Sequence, residues 1–339
     1  MSRWVWVCML VAAILRVWAA TGLPMDADEG IYLKSAEHYA SAIRDGRLHA
    51  LMDQPHNPEH PAGVKLLHGI ALVPLGEDAG LVERLAVVRG VEAAGGVALA
   101  GLLAGVHPVA GLTAAVHTLP AKYTSQGYLE AWPMVFMLLA LLAWDRVRAG
   151  AGRRWALCLG LALGATASGK LLHVLPGLLL VLHLVWSRPR AVVSVLGAGL
   201  CAMLLLDPGL WLDPWGRFAG RLAHHSAYVP DVEQPWWLPI QALSGMLPTR
   251  WHPSVFAWTL DPPLPWLGLV GLSLASARPG PDRPLARMSL AWMLVCAGVL
   301  FVWPTRWAQH ALVLVVPIAI GMGCFVRHAP SSVRLRSKR

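Results

Sequence analysis

The chain has 339 residues, of which 56% are hydrophobic and only 14% charged, against about 25% charged in a typical soluble domain. So little charge excludes a soluble globular protein of this length; lipid must solvate most of the surface. The formal net charge of +9 does not signal a nucleic-acid partner, because the basic residues gather in short links between apolar runs, which is a mark of membrane topology.

The first apolar run, residues 4–20 ("WVWVCMLVAAILRVWAA"), follows Arg3 as the core of a signal peptide would. Arg16 interrupts it and no small-residue cleavage motif follows, so it reads as a first membrane span. Further spans are expected at 81–104, 106–122, 126–144, 154–169, 171–186, 191–206, 261–276, 288–303 and 309–326. This is an all-α, polytopic transmembrane helical bundle of about ten spans. The links "DRVRAGAGRR", "SRPR" and "RPGPDRPLAR" and the tail 327–339 carry the arginines and fall inside by the positive-inside rule. Residues 1–326 then form one transmembrane domain with outer loops at 21–80 and 207–260, followed by a basic cytoplasmic tail. The first outer loop holds nine acidic and four basic residues, as an outer segment should. All five cysteines lie in apolar runs, so no disulfide framework is implied.

The outer loop 21–80 has structure of its own. In "DEGIYLKSAEHYASAIRDG" the residues Tyr32, Ala36, Tyr39 and Ile43 recur at helical spacing, which predicts an amphipathic helix on the membrane surface. A second short helix is expected over 61–74, with Pro61 tolerated in its first turn. The carboxylates Asp26, Asp28 and Glu29 admit two local readings. Asp26 with Glu29 three residues on imitates a capping box; alternatively, the group supplies a general base at the membrane surface. "NPEHPAGVK" places Glu59, His60 and Lys65 in a turn that is either ordinary or a phosphate or metal site. Pro58, between His56 and His60, opposes a helical metal pair, so no metal or other cofactor is expected, although a divalent ion held with Glu59 is compatible with the residue types.

Ionisable residues also stand at the predicted outer ends of spans: Lys122, Glu130, Lys170, Arg306 and His310. Charges so near hydrocarbon either snorkel to the interface or mark a functional site. All fall on the face that carries the acidic motifs. The later outer loop is rich in Pro and Trp, as a headgroup-level anchor or a groove for sugar or lipid would be. No phosphate-binding Gly-rich loop, dinucleotide fingerprint or hydrolase nucleophile motif is present.

The order of these motifs resembles the GT-C membrane glycosyltransferases, in particular the protein O-mannosyltransferase and aminoarabinose transferase group. "DEGIYLKSAEHYASAIRDG" is similar to that family's "DE-x-x-Y" stretch, and "EHPAGVKLLHGI" to its "H/K-P-P-L-x-K" stretch. "GYLEAWPMVFMLLALLAW", "LGLALGATASGKLLHVLPG" and "RWAQHALVLVVPIAIGMG" look like its later spans, in order, over roughly residues 15–325. The chain departs from the pattern with Glu130 where the family usually has Asp and "HPAG" for "HPPL". The resemblance implies an inverting glycosyltransferase whose donor is a polyprenyl-phosphate-linked sugar. It implies Asp28 as general base, with Asp26 the second candidate and Glu29 beside them, and Lys65, Lys170, Arg306 and His310 around the donor phosphate. Glu59, His60, Lys122, Glu130 and Tyr32 would line the substrates; the acceptor, whether lipid, glycan or protein, stays open. The excess of arginine over lysine fits a GC-rich bacterium, hence its inner membrane with the site facing the periplasm or exterior. Two other readings predict different behaviour: a transporter or flippase of a lipid-linked or small polar solute, or an inactive GT-C-like scaffold.

Overall fold

The computed structural model describes residues 2–227, 235, 237–244, 261–303 and 307–329. Every regular element among them is helical. In chain order these are α1 (Arg3–Gly22), α2 (Ala27–Arg44), α3 (Gly63–Leu72), α4 (Leu81–Val106), α5 (Pro108–Val116), α6 (Thr118–Tyr123), α7 (Ala131–Arg148), α8 (Arg153–Gly169), α9 (Leu175–Ser187), α10 (Pro189–Leu206), α11 (Pro214–Ala227), α12 (Leu238–Leu243), α13 (Leu264–Ala277), α14 (Arg283–Val302) and α15 (Val315–His328). Short 3₁₀ turns precede α9 and α15.

Among the described residues, five helical stretches are long and apolar enough to cross a membrane: Arg3–Gly22, Leu81–Val106, Pro189–Leu206, Arg283–Val302 and Ala308–His328. The expected spans 106–122 and 126–144 differ from the structure, which breaks them at two points for a visible reason. In "VHPVAG" and "VHTLP" a histidine leaves helical geometry and caps the next helix: His107 Nδ1 accepts the Val109 amide and His117 Nδ1 the Leu119 amide, both at 3.2 Å. Residues 124–130 then form a compact turn, because Gly127 donates its amide to Glu29 at 2.6 Å and the Glu130 side chain accepts the amide of Leu129 at 2.8 Å. Helix α7 therefore starts only at Ala131, and the turn delivers Tyr128 and Glu130 to the end of the bundle.

α1 packs on α4 and α5, α7 on α8, α8 on α10, and α13 on α15. Arg16, in the middle of α1, is fully buried and shows why an arginine interrupts that run. Its Nε donates to Thr124 Oγ1 at 2.7 Å and its two terminal nitrogens to the carbonyls of Ala12, Ala114 and Ala115. Gly96 of α4 makes room for it, since a Cβ there would fall on the guanidinium and the Thr124 hydroxyl. The buried charge thus ties α1 to the broken region that carries the site.

The amphipathic helix predicted over the first outer loop is α2, and its start is the expected capping box: Asp26 accepts the Ala27 amide and Glu29 returns to the Asp26 amide, each at 2.8 Å. The second predicted helix is α3, shorter than expected at both ends. Pro61 lies before it, in the turn. That turn is held to the segment after α10 by Asp207, which accepts the Ala62 amide and pairs with Arg221 of α11 at 2.5 Å; Arg221 reaches on to Gln54 Oε1 and the Pro58 carbonyl.

Candidate active site

At one end of the bundle the N-terminus of α2, the end of α6, the 124–130 turn and the start of the 3₁₀ turn after α8 bring Asp26, Asp28, Glu29, Lys122, Glu130 and Lys170 together. Asp26 Oδ2 accepts from Lys122 Nζ at 3.0 Å. Glu130 pairs with Lys170 at 2.5 Å. Asp28 stands between the two pairs, within the fields of Lys170, Glu130, Asp26 and Lys122, with Gln309 Nε2 donating to its Oδ2 at 3.4 Å. Two of the three carboxylates are paired with an ammonium group, which lowers the cost of holding this many charges in a largely buried place, and Asp28 is left without a cation in contact.

The carboxylates are not equivalent. Burial alone would raise Asp26, but Lys122, the Tyr128 hydroxyl and the Ala27 amide outweigh it and hold the carboxyl below its usual range. Asp28 is pushed up, chiefly by burial, with Glu130 and Asp26 adding to the shift and Lys170 and Lys122 opposing it. Of the three, Asp28 is the one with no ammonium in direct contact and with a carboxylate made more basic than normal, which is what a proton acceptor requires. Glu29 has its capacity taken: Arg89 grips it bidentately at 2.9 and 2.8 Å, and the amides of Gly127 and Asp26 complete its shell. At 1% exposure it fastens the site and meets no solvent.

Tyr32 lies edge-on to Tyr128 and to His60, with ring centres 5.9 and 6.1 Å apart, and Tyr128 meets Tyr123 at 5.0 Å. This row of rings walls the cluster on the α2 side. Lys122 also sits over the Tyr123 ring at 4.1 Å. The Tyr123 hydroxyl is buried with no hydrogen-bond partner.

Lys65 occupies a different place from that expected of a phosphate ligand: it is fully buried behind the turn, donating to the carbonyls of Asn57 at 2.7 Å and His60 at 2.9 Å. Glu59 in that turn is held by the Asn57 side chain. Burial and the neighbouring Arg221 push Lys65 down to about 7, against the pull of Asp207 and Glu59. A lysine lowered in the folded state and ordinary in the unfolded chain makes the unfolded chain bind the extra proton between pH ~7 and ~10.5, so folded stability rises with pH through that window. Unfolding midpoints measured at pH 7 and pH 9 are expected to move apart in the native chain and to draw together in Lys65→Met; parallel behaviour of the two would remove this account of Lys65. His310 lies in the turn before α15, within electrostatic reach of His173 beside Lys170. Arg306 lies outside the described residues.

Several residues of this network carry no obvious local motif. Arg89 and Glu92 stand inside α4, beyond its charged first turn; Glu92, wholly buried, pairs with His68 of α3 at 2.9 Å and accepts the Ala131 amide at the head of α7 at 3.1 Å. The available signal was their presence as ionisable residues inside a membrane-length helix, which marks a structural or functional tie. Gln309 and Tyr128 had no such signal.

The all-helical fold, compared with solved structures, is similar to that of GT-C membrane glycosyltransferases. The backbone is similar over 97% of this chain to ArnT from Cupriavidus metallidurans bound to undecaprenyl phosphate, with a TM-score of 0.65 and 18% identity. It is similar over 95% of this chain to the Archaeoglobus fulgidus oligosaccharyltransferase tethered with an acceptor peptide containing the NVT sequon, with a TM-score of 0.50 and 13% identity. The chain spans 61% of the first protein's length and 49% of the second's. No protein-family model and no curated protein matches the sequence.

Proposed function

We propose that this integral membrane protein is an inverting glycosyltransferase that moves a sugar from a polyprenyl-phosphate-linked donor to an acceptor hydroxyl at the outer face of a bacterial inner membrane. The observation that carries the reading is Asp28, made more basic by its surroundings and set between Asp26–Lys122 and Glu130–Lys170. The match of backbone to a protein bound to undecaprenyl phosphate supports the choice of donor.

In this reading the acceptor oxygen attacks the anomeric carbon on the face opposite the phosphate. Its proton passes to Asp28, the bond from the anomeric carbon to the phosphate oxygen breaks, and the electron pair leaves on that oxygen. Lys170, released in part from Glu130, faces the growing phosphate charge, and His310 adds to the positive field on that side; Arg306 keeps the phosphate-binding role that the resemblance implies. Lys65 supports the same side at one remove, by fixing the 57–60 turn. Fixed cations aimed at charge that grows in the transition state are most effective where water is excluded. Lys122, Glu130, Tyr32, Glu59 and His60 then line the substrates, the tyrosines offering an apolar face to the sugar ring.

The test is direct. Purified protein in nanodiscs, given polyprenyl-phosphate-linked pentose or hexose and a membrane extract, is expected to yield a sugar-modified product by mass spectrometry. Lys170→Gln is expected to lower kcat by about 10²–10³-fold, as loss of one transition-state cation does. Solute movement across proteoliposomes with no covalent product would replace this reading with a transporter.

A further inference from the structure

The opposite end of the bundle holds a second feature that the proposed reaction does not use. Helix α7 runs from the site at Glu130 to Arg148, about 27 Å at 1.5 Å per residue, and α8 returns from there to Lys170. Where α7 ends, a cleft of about 510 Å³ opens between the α7–α8 link and the α9–α10 link. Gly150, Gly152, Arg153, Ser187, Arg188 and Arg190 form its polar rim, while Val147, Ala156 and Ala191 line its apolar depth.

The charge around this cleft is unbalanced. Arg153, Arg188 and Arg190 line it and Arg146, Arg148 and Arg154 lie in the adjoining sequence, whereas the sequence from 145 to 194 holds one carboxylate, Asp145, already bonded by Arg148 at 2.8 Å. Arg188 reaches only the Arg148 carbonyl, at 3.2 Å. Arg146 and Arg154 are both turned to the Trp155 ring, at 5.8 and 5.9 Å.

The packing of α8 on α10 places two helix starts at the cleft. Gly160 lies against Val195 and Ala198, and Gly164 against Gly199 and Ala202. Four residues along one helix correspond to four along the other, so the two run in the same direction and both begin at the cleft. Two helix N-termini, with no acidic residue in either first turn, thus open on the cleft beside the C-terminal ends of α7 and α9, and their free amides are available to an anion.

We propose that this cleft binds the phosphate headgroup of an anionic phospholipid. The lipid, rather than free phosphate, is the source because the cleft lies at headgroup level: Trp155 and the exposed Trp186 flank it as interfacial tryptophans do. Below it the exposed apolar side chains Leu157, Leu161, Val193, Leu196 and Leu200 of α8 and α10 offer a track for the acyl chains. Basic pockets between membrane helices take anionic headgroups by this combination of charge and apolar groove.

Native mass spectrometry of the full chain in detergent tests it, with phosphatidylglycerol, phosphatidylethanolamine and inorganic phosphate as probes. The native protein is expected to retain phosphatidylglycerol about tenfold better than phosphatidylethanolamine. Arg153→Gln with Arg190→Gln is expected to abolish that preference, while Arg278→Gln with Arg287→Gln, at basic positions away from the cleft, leaves it intact. Equal thermal midpoints of the variants in phosphatidylethanolamine establish that they fold. A preference that survives the cleft substitutions, that falls equally with the control pair, or that millimolar inorganic phosphate erases would overturn the proposal.

Discussion

Asp28→Asn is expected to lower sugar transfer by about 10²–10⁴-fold, the usual contribution of a positioned general base, with the fold intact. The amide keeps the shape and the Gln309 contact but cannot take a proton. The two aspartates are separated by their surroundings. Asp26 is bonded to Lys122 and Tyr128 and held below the usual carboxylate range, so its affinity for a proton is poor. Asp28 is raised by burial. Protonation removes the base, so kcat/KM should fall as pH drops through the raised Asp28 value, giving an acid limb above the ~3.9 of a free aspartate. Asp26→Asn should keep an acid limb but move it to lower pH, since the Asp26 charge adds to the Asp28 shift, while weakening the Lys122 end of the site. Measured pH–rate profiles of the native chain and both variants decide it: full turnover by Asp28→Asn, or an acid limb abolished by Asp26→Asn alone, would move the base to Asp26.

Which parts of this arrangement were legible in the sequence follows from the range of the interactions involved. The capping box at Asp26 and Glu29 spans three residues and the face of α2 repeats with helical period, so both could be read from local spacing. Topology could place Lys122, Glu130 and Lys170 on one face, because charge falls at span ends. Pairing was a different matter: Lys122 meets Asp26 across 96 positions and Lys170 meets Glu130 across 40, and no local pattern encodes either. Glu29 is the clearest case. Its neighbourhood in the chain made it a catalytic candidate beside Asp28, yet Arg89, sixty positions on, makes it the fastening point of the site. The breaks at His107 and His117 were hidden for another reason: a histidine cap differs from a buried helical histidine only in which atom its ring accepts from, and hydropathy does not register that.

Arg89→Met is expected to destabilise the protein by about 3–5 kcal/mol, the cost of leaving a buried charge without its partner. Arg89 is 5% exposed and uses all its donors: Nε and Nη2 hold Glu29, Nη1 holds the carbonyls of Ala20 at 2.6 Å and Leu23 at 2.9 Å, and Nη2 also holds that of Pro24 at 3.0 Å. Those carbonyls belong to the end of α1 and the strand-like link to α2, while Glu29 reaches back to the Asp26 amide and across to Gly127. One guanidinium therefore joins α4 to the exit of α1, the start of α2 and the 124–130 turn, the three segments that carry Asp26, Asp28 and Glu130. Adding Glu29→Gln to Arg89→Met should recover part of the loss, since the uncompensated charge is gone but the three freed carbonyls remain unpaired. Thermal unfolding in nanodiscs, followed through the reactivity of the buried Cys8 and Cys296 thiols, measures both variants. A double variant no more stable than the single one would show that the ion pair matters less than the carbonyls. Loss of transfer activity in Arg89→Met well below its unfolding temperature is expected too, because Asp28 is placed relative to Lys170 only while α2 begins where Arg89 holds it.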